Sequence, residues 1–97
     1  MKLQIELSKF YTEKDELRFF IALREISALK SIQGVGRSLI LDLDLRGLSR
    51  DSLFELIGIL TRYQINLKPI SILAERSKFA WLKDKRWYWY GGMFGKQ

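Results

Sequence analysis

Residues 38–65 read SLILDLDLRGLSRDSLFELIGILTRYQI, and this stretch decides the predicted fold. Its first eight positions alternate: leucine occupies every odd position from 39 to 45, and Ile40, Asp42 and Asp44 occupy even ones. A period of two residues is typical of a β-strand. The run begins apolar on both faces and becomes polar toward its end, as expected for the central strand of a small parallel sheet.

The second part of the stretch carries the signals of a helix. Ser49 is a suitable N-cap, and Asp51 places negative charge in the first turn, where it suits the helix dipole. Apolar residues then recur at the spacing of one helical face, at Leu53, Leu56, Ile57 and Leu60. Asn66 is a candidate C-terminal cap, and Pro69 prevents the helix from continuing.

Before this stretch, the chain contains one more strand and one more helix. Residues 2–7, KLQIEL, alternate between polar and apolar side chains and are predicted to form a strand with one wet face. Thr12 can cap a helix that is predicted to run from Glu13 to about Lys30. The glycines of GVG, at positions 34 and 36, then form a turn rather than a phosphate loop, because a phosphate loop follows a strand and opens a helix.

After residues 38–65, the predicted strands and helices continue to alternate. The pattern predicts a strand at residues 70–74, a short helix at 76–86, a fourth strand at WYWY (87–90) and a flexible end at GGMFGKQ (91–97). The predicted order is β-α-β-α-β-α-β. Because strands that alternate with helices form parallel or mixed sheets, we expect a single small α/β domain over residues 1–97. Its sheet is expected to have four strands, to be mostly parallel or mixed, and to be completed by the segment 76–97.

Composition limits the function classes. The chain has 97 residues, of which 47% are hydrophobic, so it can fold as one domain around its own core. It contains no cysteine and no histidine, which removes thiolate metal sites, disulfides and the usual general base. Apolar runs are too short to span a bilayer, and the start lacks the pattern of a signal peptide. The sequence predicts a soluble, cytoplasmic protein that needs no cofactor and has no catalytic or metal-binding residues.

Positive charge and aromatic side chains are concentrated at the C-terminus. Residues 76–97 carry six basic residues against one acidic residue, whereas residues 1–75 carry eleven against ten. Trp and Tyr are favoured at protein interfaces, so these aromatics are candidates for contact with a protein partner or a second copy of the chain. The candidate partner-binding residues are Trp81, Trp87, Tyr88, Trp89, Tyr90 and Phe94.

The same segment suits nucleic acid as an alternative. Rings such as Phe79, Trp81, Trp87 and Trp89 can stack on unpaired bases, while basic side chains neutralise phosphates. The candidate phosphate contacts are Lys78, Lys83, Lys85 and Arg86. If WYWY is a strand, one alternating pair enters the core. An outer Trp pair would indicate a face that a partner covers, and an outer Tyr pair would fit a merely soluble, charged edge.

Asp42 and Asp44 support one further alternative. They lie two residues apart on the predicted strand and share a face, so they are candidate oxygen ligands for Mg²⁺ in a metal-dependent phosphate-processing enzyme. Such a pair is also typical of a polar sheet face or of a partner for nearby arginines. No third acidic residue lies at a suitable spacing, and the predicted protein is therefore not an enzyme.

Two families share parts of this pattern. Residues 38–75, with LDL at 41–43 and Asp51–Ser52 at a helix start, resemble the second half of STAS domains, the fold of anti-sigma-factor antagonists. That resemblance implies that Ser52 is a possible phosphorylation site. The layout of residues 3–76 is also similar to the N-terminal domain of the septum-site inhibitor MinC. Both resemblances imply a small non-enzymatic regulatory domain that binds protein partners, with a basic nucleic-acid-binding protein as the alternative.

Overall fold

A computed structural model describes residues 1–95 of the chain. Its elements are β1 (Lys2–Glu6), α1 (Glu13–Arg24), β2 (Leu29–Val35), β3 (Ser38–Leu43), α2 (Arg50–Arg62), two 3₁₀ segments (Lys68–Glu75 and Ser77–Lys83) and α3 (Tyr90–Phe94). The sheet has three strands in the order β1-β3-β2, and β3 pairs with both neighbours in antiparallel fashion. The predicted β-α-β-α-β-α-β order and its mostly parallel or mixed, four-stranded sheet are therefore wrong.

The error begins at β2, which was predicted as the end of a helix and a turn. The helix α1 ends at Arg24, and residues 29–35 form a hairpin with β3 instead. The two-residue loop between the paired residues Val35 and Ser38 has Gly36 at a φ of 60°, as a tight hairpin turn requires. Because a tight hairpin can join only antiparallel strands, this loop excludes a parallel arrangement of β2 and β3.

A β-bulge explains why the strand pattern of β2 is hidden. Leu29 lies opposite Leu43, but the next paired residue, Ser31, lies opposite Asp42, so β2 has one extra residue at this point. The bulge shifts the phase of the alternation, and Leu29 and Ile32 both pack against the core. The local sequence therefore does not show the period of two that marks an ordinary strand.

The predicted caps of both long helices are confirmed, but the end of α2 differs. The Thr12 hydroxyl accepts a hydrogen bond from the Asp15 backbone N–H at 3.0 Å, and Ser49 caps α2 in the same way. At the other end of α2, Gln64 adopts a φ of 60°, and the Ile65 N–H donates to the Leu60 carbonyl at 2.8 Å. This is a Schellman motif with glutamine in the left-handed position.

The expectation that Asn66 is the C-terminal cap of α2 is wrong. Its side-chain oxygen accepts from the Lys68 N–H at 3.0 Å and so shapes the next turn. The 3₁₀ segment that begins there places Pro69 near its start, where the missing N–H costs least.

The C-terminal third contains turns where strands were predicted. Residues 70–74, expected to be a strand, lie in the first 3₁₀ segment. Of residues 76–86, expected to be a helix, only Ser77–Lys83 are helical, and they form the second 3₁₀ segment. Side chains three residues apart align on a 3₁₀ helix. The pairs Ile70 with Leu73 and Phe79 with Leu82 have this spacing, and all four side chains are buried. Burial of these pairs against the core thus favours the 3₁₀ conformation.

WYWY is not a strand, and the segment 76–97 does not complete the sheet. The Trp87 N–H donates to the Asp84 carbonyl and the Tyr90 N–H to the Trp87 carbonyl, which are turn hydrogen bonds. The predicted flexible end is partly helical, because α3 runs from Tyr90 to Phe94 and buries Met93. The last two residues of that prediction, 96 and 97, lie outside the described residues.

One continuous core lies against a single face of the sheet. Buried residues of β1 and β3 meet Phe19 and Leu23 of α1, the apolar face of α2 and the buried 3₁₀ residues. The opposite sheet face carries exposed side chains of β1, such as Gln4, beside the half-buried Ile40. Within residues 1–95, no helix has both the length and the apolar character that a membrane crossing requires.

Candidate functional site

The aromatic residues of the C-terminal segment meet α2 in one compact group. We call Phe54, Trp81, Trp87 and Trp89 the tryptophan cluster, because the ring centroids of each pair lie between 4.7 and 6.1 Å apart. Helix α2 supplies the phenylalanine, the second 3₁₀ segment supplies Trp81, and the turns after it supply Trp87 and Trp89. Edge-to-face and offset contacts at such distances add to the stabilisation from burial.

Trp89 and Trp87 form the inner part of the cluster. Trp89 is 1% exposed, and its indole N–H donates to the Leu82 carbonyl at 3.2 Å. The Trp87 ring stacks on it at 4.7 Å with an interplanar angle of 15°, and its own N–H donates to the Trp81 carbonyl at 3.0 Å. Because both indole donors have partners, the rings are held rigidly.

Arg50 lies over the outer part of the cluster. Its guanidinium carbon is 4.7 Å from the Trp81 centroid, 5.6 Å from that of Phe54 and 5.9 Å from that of Trp87. Trp81 and Trp87 are half-buried, and Arg50 is exposed, so this part of the cluster reaches solvent. A guanidinium above aromatic faces is attracted by their negative π-surfaces.

Sequence reasoning missed Arg50 and Phe54 as site residues. They stand four apart at the start of α2 and therefore share a face of that helix. That spacing was visible in the sequence. Their approach to Trp81 was not, because it depends on how the turns after residue 67 pack against α2.

The other predicted partner-binding residues, Tyr88, Tyr90 and Phe94, lie at two separate locations. Tyr88 is 63% exposed and touches the edge of Trp89, with centroids 5.1 Å apart. Tyr90 and Phe94 pack on each other within α3 at 5.4 Å and are half-buried. The structure thus brings the three tryptophans together with Tyr88 beside them, while Tyr90 and Phe94 form a separate contact.

Two of the four predicted phosphate contacts make contacts within the protein. The Lys78 ammonium donates to the Leu45 carbonyl at 2.9 Å, which ties the second 3₁₀ segment to the loop before α2. Arg86 forms an ion pair with Asp84 at 2.7 Å. The hydrogen bonds from Arg86 lower the pKa of Asp84 to about 2, so this carboxylate is charged and paired at neutral pH.

Lys83 and Lys85 are the other two predicted phosphate contacts. Both are exposed, and neither forms a hydrogen bond or an ion pair with any of residues 1–95. Phe79, which was also considered for stacking on bases, is 1% exposed and belongs to the core. Of the four predicted phosphate contacts, Lys83 and Lys85 are therefore the two that no carbonyl or carboxylate of the described residues engages. In the sequence, Lys83 follows Trp81 by two residues and Lys85 precedes Trp87 by two.

Ser52 lies in the first turn of α2, where it is half-buried. Its backbone N–H donates to the Ser49 hydroxyl at 3.0 Å, and the two hydroxyls lie 3.1 Å apart. A phosphate at this position would meet the positive end of the helix dipole. The site therefore suits a negative group electrostatically, and phosphorylation of Ser52 stays a prediction.

The carboxylates of Asp42 and Asp44 both contact groups within the protein. The Asp42 carboxylate lies 3.4 Å from the N-terminal ammonium, and Asp44 accepts a hydrogen bond from the Arg46 N–H at 3.1 Å. Among residues 1–95, no group of three or more acidic, histidine or cysteine side chains is placed to hold a metal ion. The pair thus lacks the further ligands that a Mg²⁺ site would need.

A concave feature away from the tryptophan cluster lies where β1 leads into α1. Phe10, Tyr11 and Tyr63 line an opening of about 230 Å³ together with Lys9 and Arg62. Tyr11 is 88% exposed. Two shallow openings of about 390 and 480 Å³ share Lys9, Phe10 and Tyr11 with it.

Comparison of the chain with protein-family models, with curated proteins and with solved structures gave no match. Function must therefore be inferred from the residues and geometry of this chain.

Proposed function

We propose that this chain is a small, non-enzymatic, cytoplasmic interaction domain that binds a protein partner through Arg50, Tyr88 and the outer face of the tryptophan cluster. The observation that carries the proposal is the placement of an exposed arginine over half-buried Trp81 and Trp87. Trp, Tyr and Arg are the residues that most often dominate binding energy at protein interfaces.

The rigidity of this surface supports the proposal. Binding costs free energy whenever side chains must be ordered at an interface. Here Trp87 is fixed by its stack on Trp89 and by its hydrogen bond to the Trp81 carbonyl. A partner therefore meets aromatic groups that are already ordered, and more of the contact energy remains for affinity.

The resemblances to STAS domains and to the N-terminal domain of MinC remain hypotheses about ancestry. Both families act by binding proteins, in keeping with the role proposed here. A sequence with no histidine and no cysteine favours a binding role over acid–base or thiol chemistry. The surface itself carries the argument.

The proposal can be tested by affinity capture with matched variants. Immobilised wild-type protein, Arg50→Gln, Tyr88→Ser and Tyr11→Ser are incubated with lysate of the source cell, and bound proteins are quantified by mass spectrometry. Tyr11→Ser is the control, because Tyr11 is another strongly exposed tyrosine and lies at the β1–α1 connection. A specific partner should be lost with Arg50→Gln and Tyr88→Ser and kept with Tyr11→Ser. An identical capture profile for all four proteins would refute the proposal.

Nucleic acid is the second candidate, favoured by the exposed Lys83 and Lys85. One face of the Trp87 ring is already occupied by Trp89, and Arg50 lies over Trp81, so a base would have to displace protein contacts to stack there. Binding of a fluorescent single-stranded oligonucleotide decides the matter. If nucleic acid is the ligand, its affinity should fall steeply, by about 10³-fold for several phosphate contacts, between about 50 and 200 mM salt.

A further inference from the structure

We infer that the partner presents an acidic segment, in which a carboxylate pairs with Arg50 and neighbouring carboxylates face Lys83 and Lys85. This inference rests on the proposed function and adds the chemistry of the partner to it. Three observations support it. The C-terminal segment is positively charged, the Arg50 guanidinium is not paired with a carboxylate of the described residues, and Asp84 is already paired with Arg86.

The charge of the C-terminal segment is strongly one-sided. Residues 76–95 contain five basic side chains and a single acidic one, Asp84. Asp84 already accepts hydrogen bonds from Arg86, at 2.7 Å for the shortest, so it does not compensate the remaining cations. Lys83 and Lys85 flank it in the sequence, with both side chains in solvent. A partner of opposite charge is attracted over a distance of about 10 Å at moderate salt.

Arg50 is available to a carboxylate. Its guanidinium carbon lies 4.7 Å from the Trp81 centroid, and a guanidinium carries five N–H donors that a contact with an aromatic ring does not use up. In the described part of the chain it forms no hydrogen bond or ion pair with a carboxylate, although the exposed acids Asp51 and Glu55 lie on the same helix. Arginine binds carboxylates through two parallel hydrogen bonds, and an aromatic support fixes the fork in place. This residue therefore has the form of an anchor for one carboxylate.

The aromatic surroundings favour a peptide over a nucleic acid. The exposed Tyr88 and the half-buried Trp81 and Trp87 offer apolar surface, and Arg50 lies over the two tryptophans. Aliphatic or aromatic side chains of an acidic segment can cover that surface while its carboxylates pair with the arginine and lysines. A nucleic acid would need open ring faces for its bases, and Trp89 and Arg50 occupy such faces.

The inference is tested with synthetic peptide pools of equal length. The first pool combines Asp and Glu with Leu and Phe, the second replaces every acid by its amide, and a single-stranded oligonucleotide is measured in parallel. Binding is followed by fluorescence anisotropy of the labelled probe for wild type, Arg50→Gln and Arg24→Gln. Arg24 is the matched control, because it is exposed and lies over the Phe20 ring at 5.7 Å on a different helix. Circular dichroism verifies that each variant is folded.

We expect the acidic pool to bind at low salt, the amide pool to bind at least about tenfold more weakly, and Arg50→Gln to lose about tenfold in affinity for the acidic pool. Arg24→Gln should bind like wild type. Equal binding of both pools, lost with Tyr88→Ser, would overturn the acidic inference and leave the proposed function intact. Absence of binding to either pool would count against both. Tighter binding of the oligonucleotide, sensitive to Arg50→Gln, would replace both with the nucleic-acid alternative.

Discussion

Truncation of Trp89 tests whether the tryptophan cluster is anchored in the core. A buried Trp removes about 200 Å² from water, worth about 5 kcal/mol at about 25 cal/mol per Å². Loss of the indole N–H also leaves the Leu82 carbonyl without its donor, at about 1 kcal/mol, whereas relaxation around the cavity recovers part of the total. We therefore expect Trp89→Ala to lower the free energy of unfolding by about 4 kcal/mol.

Urea unfolding followed by far-UV circular dichroism measures this effect, because that signal comes mainly from the peptide backbone. With an m-value of about 1.5 kcal/mol per M, the urea midpoint should fall by about 2.7 M. The loss is a large part of the stability of a domain of this size, so Trp89→Phe, which keeps a ring, serves as a second variant with an expected loss of about 2 kcal/mol.

The neighbouring Tyr88→Ala is the matched control, since Tyr88 is 63% exposed, and it should cost less than about 1 kcal/mol. Equal shifts of the urea midpoint for Trp89→Ala and Tyr88→Ala would contradict the placement of Trp89 in the core and of Tyr88 at the surface.

Three further predictions concern local energetics. Gly58→Ala should raise the free energy of unfolding by up to about 1 kcal/mol, because glycine is unfavourable within a helix and a Cβ there would meet the Tyr88 hydroxyl only at 4.0 Å. A lower free energy of unfolding would show that this space is absent. Ser49→Ala should cost about 1 kcal/mol by removing the N-cap of α2, and unchanged thermal unfolding would contradict this cap. The pKa of Asp84, about 2 in the folded protein against an ordinary 3.8, makes its ion pair favour the folded state above pH about 4 and lose that contribution as the pH falls toward 2. An NMR titration should show this pKa rising toward 3.8 in Arg86→Gln, and an unchanged value would exclude Arg86 as the cause.

The sequence predicted the local elements better than their assembly. The strands β1 and β3 and the helix α2 were recognised from alternation and helical spacing, and the caps at Thr12 and Ser49 were found from residue type. These features depend on side chains close together in the chain. Pairing in the sheet depends on distant residues, and here the alternation of β2 was concealed by the bulge at Leu29 and Ser31.

The C-terminal errors have a different origin. Apolar pairs three apart, such as Phe79 and Leu82, suit an α-helix and a 3₁₀ helix alike, so spacing does not separate them. At WYWY, the backbone N–H groups of Trp87 and Tyr90 donate to carbonyls three residues earlier instead of to a neighbouring strand. Residue-type strand propensity does not detect such turns.

Some residues of the candidate site were named from the sequence and others were missed. Trp81 and Trp87 were named as candidates from residue type. The expected division of WYWY into an inner and an outer alternating pair is absent, because Trp89 is buried and Tyr88 exposed while Trp87 and Tyr90 are both half-buried. Arg50 was missed, since its contact with Trp81 joins residues that are far apart in sequence.

A two-dimensional ¹H–¹⁵N NMR titration with the tightest-binding peptide from the acidic pool locates the binding surface directly. The side-chain Nε–H signal of Arg50 and the indole signals of Trp81 and Trp87 should shift, while the buried indole of Trp89 should move little. Shifts centred instead on Tyr11 and the opening at the β1–α1 connection, with Arg50 unaffected, would contradict the assignment of the tryptophan cluster as the partner-binding surface.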